Sequence, residues 1–149
     1  MPLNFKKYAE KGDKFLKELA HNLGDDNNLE QAGRALQTTF KTLRSYLTIE
    51  ENFQLMAQLP MALKSVYIME WNPNSKAKIK KSKKGFMEEF MKNGGPSAWR
   101  DFSDLQEGEF ALLSVLNTMR KYVSKGEFKD IEAVLPAQIK EIIRDSDFR

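Results

Sequence analysis

The chain has 149 residues, no cysteine and one histidine. Without cysteine there is no disulfide, no thiolate metal site and no thiol nucleophile. A lone imidazole, His21, cannot assemble a zinc site, which needs two or more nitrogen or sulfur ligands. No Gly-x-Ser-x-Gly elbow is present to support a serine hydrolase. Long apolar runs are missing as well, since no stretch approaches the ~20 residues of a membrane span. The first residues, Met1-Pro2-Leu3-Asn4-Phe5-Lys6-Lys7, carry basic side chains with no apolar run behind them and do not read as a secretory leader. The expectation is a soluble cytoplasmic chain. Alternating apolar and polar runs long enough to argue a strand are also lacking.

Other short signals fail on what they lack. Gly94-Gly95-Pro96 neither follows a strand nor ends in Gly-Lys-Ser or Gly-Lys-Thr, so it reads as a turn rather than a phosphate loop. Asp25-Asp26-Asn27-Asn28 resembles a fragment of a calcium loop but has no glycine after it and no closing glutamate, so it reads as a polar loop supplying a helix N-cap. Glu50-Glu51 and Glu88-Glu89 are consecutive pairs, which do not share a helical face. The first pair sits in a cap, and the second is expected in the first turns of a helix. His21 reads as a partly exposed residue favourable to a helix C-terminus. No catalytic, cofactor-binding or metal-ligating residue is assigned; the expectation is a protein that is not an enzyme and has no cofactor.

What is present is ordinary globular composition, 41% hydrophobic and 30% charged, arranged in duplicate. A constant offset of 76 carries residues 35–64 onto 111–140 without a gap, pairing Ala35 with Ala111, Leu36 with Leu112, Thr42 with Thr118, Tyr46 with Tyr122 and Glu51 with Glu127. Within each copy the apolar residues keep helical spacing. Leu36, Phe40, Leu43 and Leu47 are answered by Leu112, Leu116, Met119 and Val123, so the stripe is kept while its side chains are exchanged. Thr48 with Glu51, and Ser124 with Glu127, form capping-box signatures after each long helix. The short helices that follow end at Leu59-Pro60 and Leu135-Pro136, because proline disfavours a helical residue before it yet fits the first position of a new helix. Phe15 and Phe86 are 71 apart rather than 76, which places five extra residues near Gly94 to Trp99.

These signals predict an all-α fold: a duplicated unit of about four helices per copy, packed as one compact bundle with approximate two-fold pseudosymmetry. A single domain covers 1–149, with repeat one at about 14–70, a lysine-rich connector at about 72–85 and repeat two at about 86–145. One repeat alone would be marginal, so the copies are expected to share a core.

The Ala-Gln-Leu-Pro corner at 57–60, Ala-Val-Leu-Pro at 133–136 and Ser-Lys-Gly-Glu at 124–127 resemble the bacterial family called domain of unknown function 2267, over roughly residues 14–145. The resemblance implies a tandem of helical units and no assigned reaction. Copy one departs from the pattern in having Ile49-Glu50-Glu51 without the glycine of the turn, and the connector is longer and more basic than the family pattern.

The net charge of +3 is uneven. Six lysines, Lys76, Lys78, Lys80, Lys81, Lys83 and Lys84, fall within nine residues, and the rest of the chain holds 18 basic against 21 acidic residues. The segment has two readings: a solvated linker kept open by its own charge, or a nonspecific contact to phosphates, since it has no arginine or aromatic residue to read bases. Trp71 and Trp99 are expected to pack over the junction between copies, with a partner groove there as the alternative. The leading functional reading is a noncatalytic helical protein-interaction or scaffold module with an unidentified protein partner. The alternative is a nucleic-acid-associated or regulatory protein using the lysine connector. The oligomeric state stays open.

Overall fold

A computed structural model describes residues 3–74, 76–78 and 82–146, the side chain of residue 146 apart. Asn4 opens the first helix, α1 (Phe5–Asn22), by accepting from the Lys7 amide at 3.0 Å. Helix α1 starts well before residue 14, where the apolar stripe begins, because the cap rather than the stripe sets its origin. It closes in a Schellman motif. Gly24 takes φ 98°, its amide donates to the His21 carbonyl, and the Asp25 amide donates to the Ala20 carbonyl.

Asn28 then caps α2 (Leu29–Tyr46), and Thr48 opens α3 (Ile49–Ala57). The α3 capping box is closed, with the Glu51 amide donating to Thr48 Oγ1 at 3.2 Å and the Thr48 amide donating to Glu51 Oε1 at 2.9 Å. After Pro60 comes α4 (Met61–Ile68).

Ser82 caps α5 (Lys83–Asn93), which is followed by a 3₁₀ turn at Gly95–Ser97 and a short α6 (Ala98–Asp101). Asp104 caps α7 (Leu105–Arg120), and Ser124 opens α8 (Lys125–Val134) with a second closed capping box. Helix α9 (Ala137–Ser146) completes the chain's described part. All the regular elements among the described residues are helical; there is no strand.

Two local expectations are corrected. Pro60 and Pro136 stand just before their helices rather than at the first helical position, and their carbonyls accept from Leu63 and Lys64, and from Ile139 and Lys140. Glu88 and Glu89 lie in the middle of α5, not its first turns. Residues 23–28 link α1 to α2, whereas the longer stretch 94–104, with its 3₁₀ turn and α6, links α5 to α7.

Helix α1 packs against α2, α4 and α7, and α5 packs against α7, α9 and α2. The central helices α2 and α7 touch each other, as do α3 and α8. Ala35, Thr38 and Thr42 on α2, with Ala111, Ser114 and Thr118 on α7, are all buried small residues at helical spacing, a pattern that lets two helices approach closely. Larger side chains fill the surrounding core, among them Phe15, Phe40, Leu43, Phe86, Phe90, Leu112 and Met119. Fully burying one such side chain stabilises by roughly 1.5–3 kcal/mol. The α5–α7 linker is clasped to α2 by a two-pronged ion pair: Arg34 Nε donates to Asp101 Oδ2 at 2.7 Å and Nη2 to Oδ1 at 2.9 Å. No helix among the described residues is long and apolar enough to cross a membrane.

Candidate anion pocket at the end of the second helix

The site is built around Asn52 on α3, a polar residue at 2% exposure. Its side-chain nitrogen lies within 3.0–3.2 Å of the carbonyls of Arg44, Leu47 and Thr48, three acceptors sharing two hydrogens. Those carbonyls belong to the end of α2 and the turn after it, where helical partners run out. The Tyr67 hydroxyl on α4 donates to Asn52 Oδ1, so the amide is engaged at both ends. Burial drives the Tyr67 phenol far above its ordinary pKa, and the group stays neutral.

Arg44, half-buried on α2, reaches the C-terminal end of α4. Its Nη1 donates to the carbonyls of Tyr67 at 2.6 Å and Met69 at 2.9 Å. A cation at a helix C-terminus meets the negative end of the macrodipole. Burial lowers the Arg44 pKa, partly countered by the nearby Tyr67 and Glu70. Beyond Met69 the chain turns through Glu70 at φ 57°, a left-handed value that favours glycine and costs of order 1–2 kcal/mol for other residues. This turn brings back Trp71, whose ring meets Phe53 at 5.8 Å and Tyr67 at 6.3 Å, both edge to face. The chain then returns to α2, where the Lys78 amide donates to the Ser45 carbonyl at 2.8 Å.

The result is a pocket of about 320 Å³ lined by Lys41, Arg44, Ser45, Ile49, Asn52, Glu70, Trp71, Asn72, Lys76, Lys78 and Asn93, with Leu47 and Pro73. That volume falls in the range of small-ligand sites. Lys78 pairs with Glu89. Among the described residues Lys41 and Lys76 have no carboxylate within ion-pair distance, so the pocket holds cations that its single lining carboxylate, Glu70, does not balance.

The structure separates the six connector lysines. Lys76 and Lys78 line the pocket. Lys83 and Lys84 belong to the first turn of α5, with Lys83 at 3.5 Å from Glu109 and 3.6 Å from Asp145. Lys80 and Lys81 lie outside the described residues. Trp71 packs on Phe53 and Tyr67 and lines the pocket together with Asn93 of α5, whereas Trp99 is 63% exposed. His21, exposed near the end of α1, holds Asp26 at 2.7 Å. No group of three or more histidine or acidic side chains placed to hold a metal occurs among the described residues.

Thr48, Glu51, Ser124 and Glu127 cap helices, while Leu59-Pro60 and Leu135-Pro136 form the corners. These devices all fall within the stretch, residues 12–142, that a model of one family matches, described as an uncharacterized conserved protein (DUF2267). The chain belongs to the DUF2267 family. No curated protein matches it.

Within this DUF2267 chain the pocket is lined by α2, α3, the stretch 70–78 and Asn93 of α5. Under the offset of 76, Lys41, Ser45, Asn52 and Tyr67 correspond to Asn117, Lys121, Phe128 and Ile143. In the second half Arg120 stacks over the Phe128 ring at 4.7 Å instead of holding carbonyls. The groove beside Tyr122 mixes Lys7, Lys11, Lys14 and Lys121 with Glu10 and Glu18. Burial, with the Glu18 carboxylate alongside, pushes the Tyr122 phenol up to about 12, although neither Tyr122 Oη nor Glu18 Oε2 closes a hydrogen bond. Sequence reading missed Lys41, Arg44 and Glu70 as pocket residues. The signal available was Asn52, a polar residue in a stripe whose other copy has phenylalanine.

Proposed function

We propose that this chain is a noncatalytic helical interaction module made of two copies of one unit related by an approximate two-fold axis. The duplication is supported by contacts that recur with the halves exchanged. Asn22 of the first half donates to Thr118 of the second at 2.8 Å, and Asn93 of the second donates to Thr42 of the first at 2.9 Å. Phe15 packs on Tyr122, and Phe86 packs on Tyr46. Thr42 and Thr118 are offset partners, as are Tyr46 and Tyr122.

The observation that carries the interaction reading is an apolar patch on the outer face of α3. Ile49 and Phe53, one helical turn apart, are 44% and 53% exposed, and Trp71 lies against Phe53. The cations of the pocket flank them. This combination suits a protein segment that presents an apolar side chain beside acidic residues. The test compares capture by the unaltered chain and by Phe53→Glu, with Phe110→Glu, an exposed residue of α7, as control. A partner that rebinds in purified form, is lost with Phe53→Glu and is kept with Phe110→Glu supports the reading. A partner held equally by all three chains, or none at all, defeats it.

The second reading, nonspecific phosphate contact by the connector, is favoured by Lys76 and Lys84, which have no carboxylate partner among the described residues. It is weakened by Lys78 and Lys83, which are engaged with carboxylates. Replacing Lys76, Lys78, Lys80, Lys81, Lys83 and Lys84 by glutamine removes salt-sensitive binding to an oligonucleotide if this reading holds.

A further inference from the structure

We infer that the pocket at the end of α2 binds a small phosphate-bearing molecule, with the phosphate among Lys41, Arg44 and Lys76 and its organic body against Trp71. This goes beyond the interaction reading, because it holds whether or not the face of α3 docks a protein.

Charge supplies the first argument. Lys41, Arg44 and Lys76 line one concavity, and none has a carboxylate at ion-pair distance among the described residues. Like charges gathered around a hollow repel one another unless an anion joins them. Arg44 is also held in place, since Nη1 is bound to two carbonyls while Nε and Nη2 make no bond to any described residue. A fixed guanidinium with donors to spare suits the oxygens of a phosphate.

Backbone strain supplies the second. The left-handed turn at Glu70 carries a backbone cost, and its effect is to set Trp71 and Asn72 along the pocket wall. Strained residues of this kind gather at ligand sites.

Divergence between the halves supplies the third. The fold repeats its caps and corners in both copies, yet the pocket's Lys41 and Asn52 are replaced by Asn117 and Phe128. The helical architecture alone therefore does not produce the pocket. A single phosphate fits the three cations, and an organic body is inferred because the adjoining wall carries the Trp71 indole.

Trp99→Phe leaves Trp71 as the only tryptophan, since the chain has two, and turns its fluorescence into a reporter of the pocket. In that background the full chain is titrated with AMP, ribose 5-phosphate and inorganic phosphate, and separately with a single-stranded oligonucleotide. The expected result is a saturable change with AMP in the submillimolar range, weaker binding of ribose 5-phosphate and weakest of inorganic phosphate. Lys41→Gln together with Lys76→Gln, both on the surface and outside the core, weakens AMP by about tenfold or more while thermal unfolding stays unchanged.

The inference is overturned if none of the three small phosphates gives a saturable change. It is equally overturned if the double variant binds AMP as the parent does. Tight, salt-steep oligonucleotide binding that AMP does not displace also overturns it, and points to nucleic acid instead.

Discussion

The Asn22 side-chain amide donates to the Thr118 hydroxyl at 2.8 Å, tying the last residue of α1 to a helix 96 positions further along the chain. The Thr118 hydroxyl in turn donates to the Ser114 carbonyl at 2.6 Å. Thr118→Val keeps the shape of the side chain but removes the acceptor, and its expected cost is about 1–3 kcal/mol. Thr42→Val does the same to Asn93 at the other crossing. Urea unfolding reads both; a change within about 0.3 kcal/mol for each would show that the two crossings contribute nothing to stability.

Two glycines make a matched pair. A Cβ at Gly12 would lie 2.7 Å from Ala62 Cβ, where α1 crosses α4, whereas a Cβ at Gly33 in the interior of α2 meets nothing within 4 Å. Gly12→Ala is expected to destabilise by about 1–3 kcal/mol through overpacking. Gly33→Ala is expected to stabilise by roughly 0.4–1 kcal/mol by restricting the unfolded chain. Melting midpoints that move in the same direction for the two variants contradict this placement of the helices.

Asn52 and Tyr67 are coupled through a buried hydrogen bond. Asn52→Ala strips three carbonyls of a shared donor and Tyr67 of its acceptor, with an expected loss of about 2–4 kcal/mol. Tyr67→Phe removes one bond and is expected to cost about 1–2 kcal/mol. A double-mutant cycle should return a coupling of roughly 0.5–3 kcal/mol, and strict additivity would mean that the two side chains act independently.

Glu127 gives the chain an acid-sensitive cap. The Ser124 backbone amide, then the Ser124 side chain, hold its pKa below the ordinary 4.5, with Lys11 adding to the effect. Its folded value is thus lower than its unfolded one. The cap's contribution is present above the unfolded value and is lost as pH falls through the folded one. An NMR titration of the Glu127 carboxyl should show a midpoint below 4.5, and Glu127→Gln should remove that step; a midpoint at or above the ordinary value refutes the coupling.

The helices were legible because their signals are local. Thr48 with Glu51, Ser124 with Glu127, and the stripe from Leu36 to Leu47 each depend on residues a turn or two apart. The start of α1 had no such signal in the stripe, since it is set by a single asparagine cap, Asn4. The pocket was not legible. Its cations come from the end of α2 and from beyond α4, and they converge only because Glu70 turns the chain back, a left-handed residue that nothing in its neighbours announces. The partners of Lys78 and Lys83 were hidden for the same reason, since Glu89, Glu109 and Asp145 are brought to them by packing.

The docking of α1 onto α7 constrains the order in which the chain can mature on the ribosome. Phe15 rests on Tyr122, and Asn22 on Thr118, so α1 has no complete surface to settle on until α7 has left the exit tunnel. At about 5–20 residues per second the wait lasts several seconds. During it, the apolar face of α1 has α2 and α4 for cover but not yet α7, so the nascent first half leaves part of that face open to water.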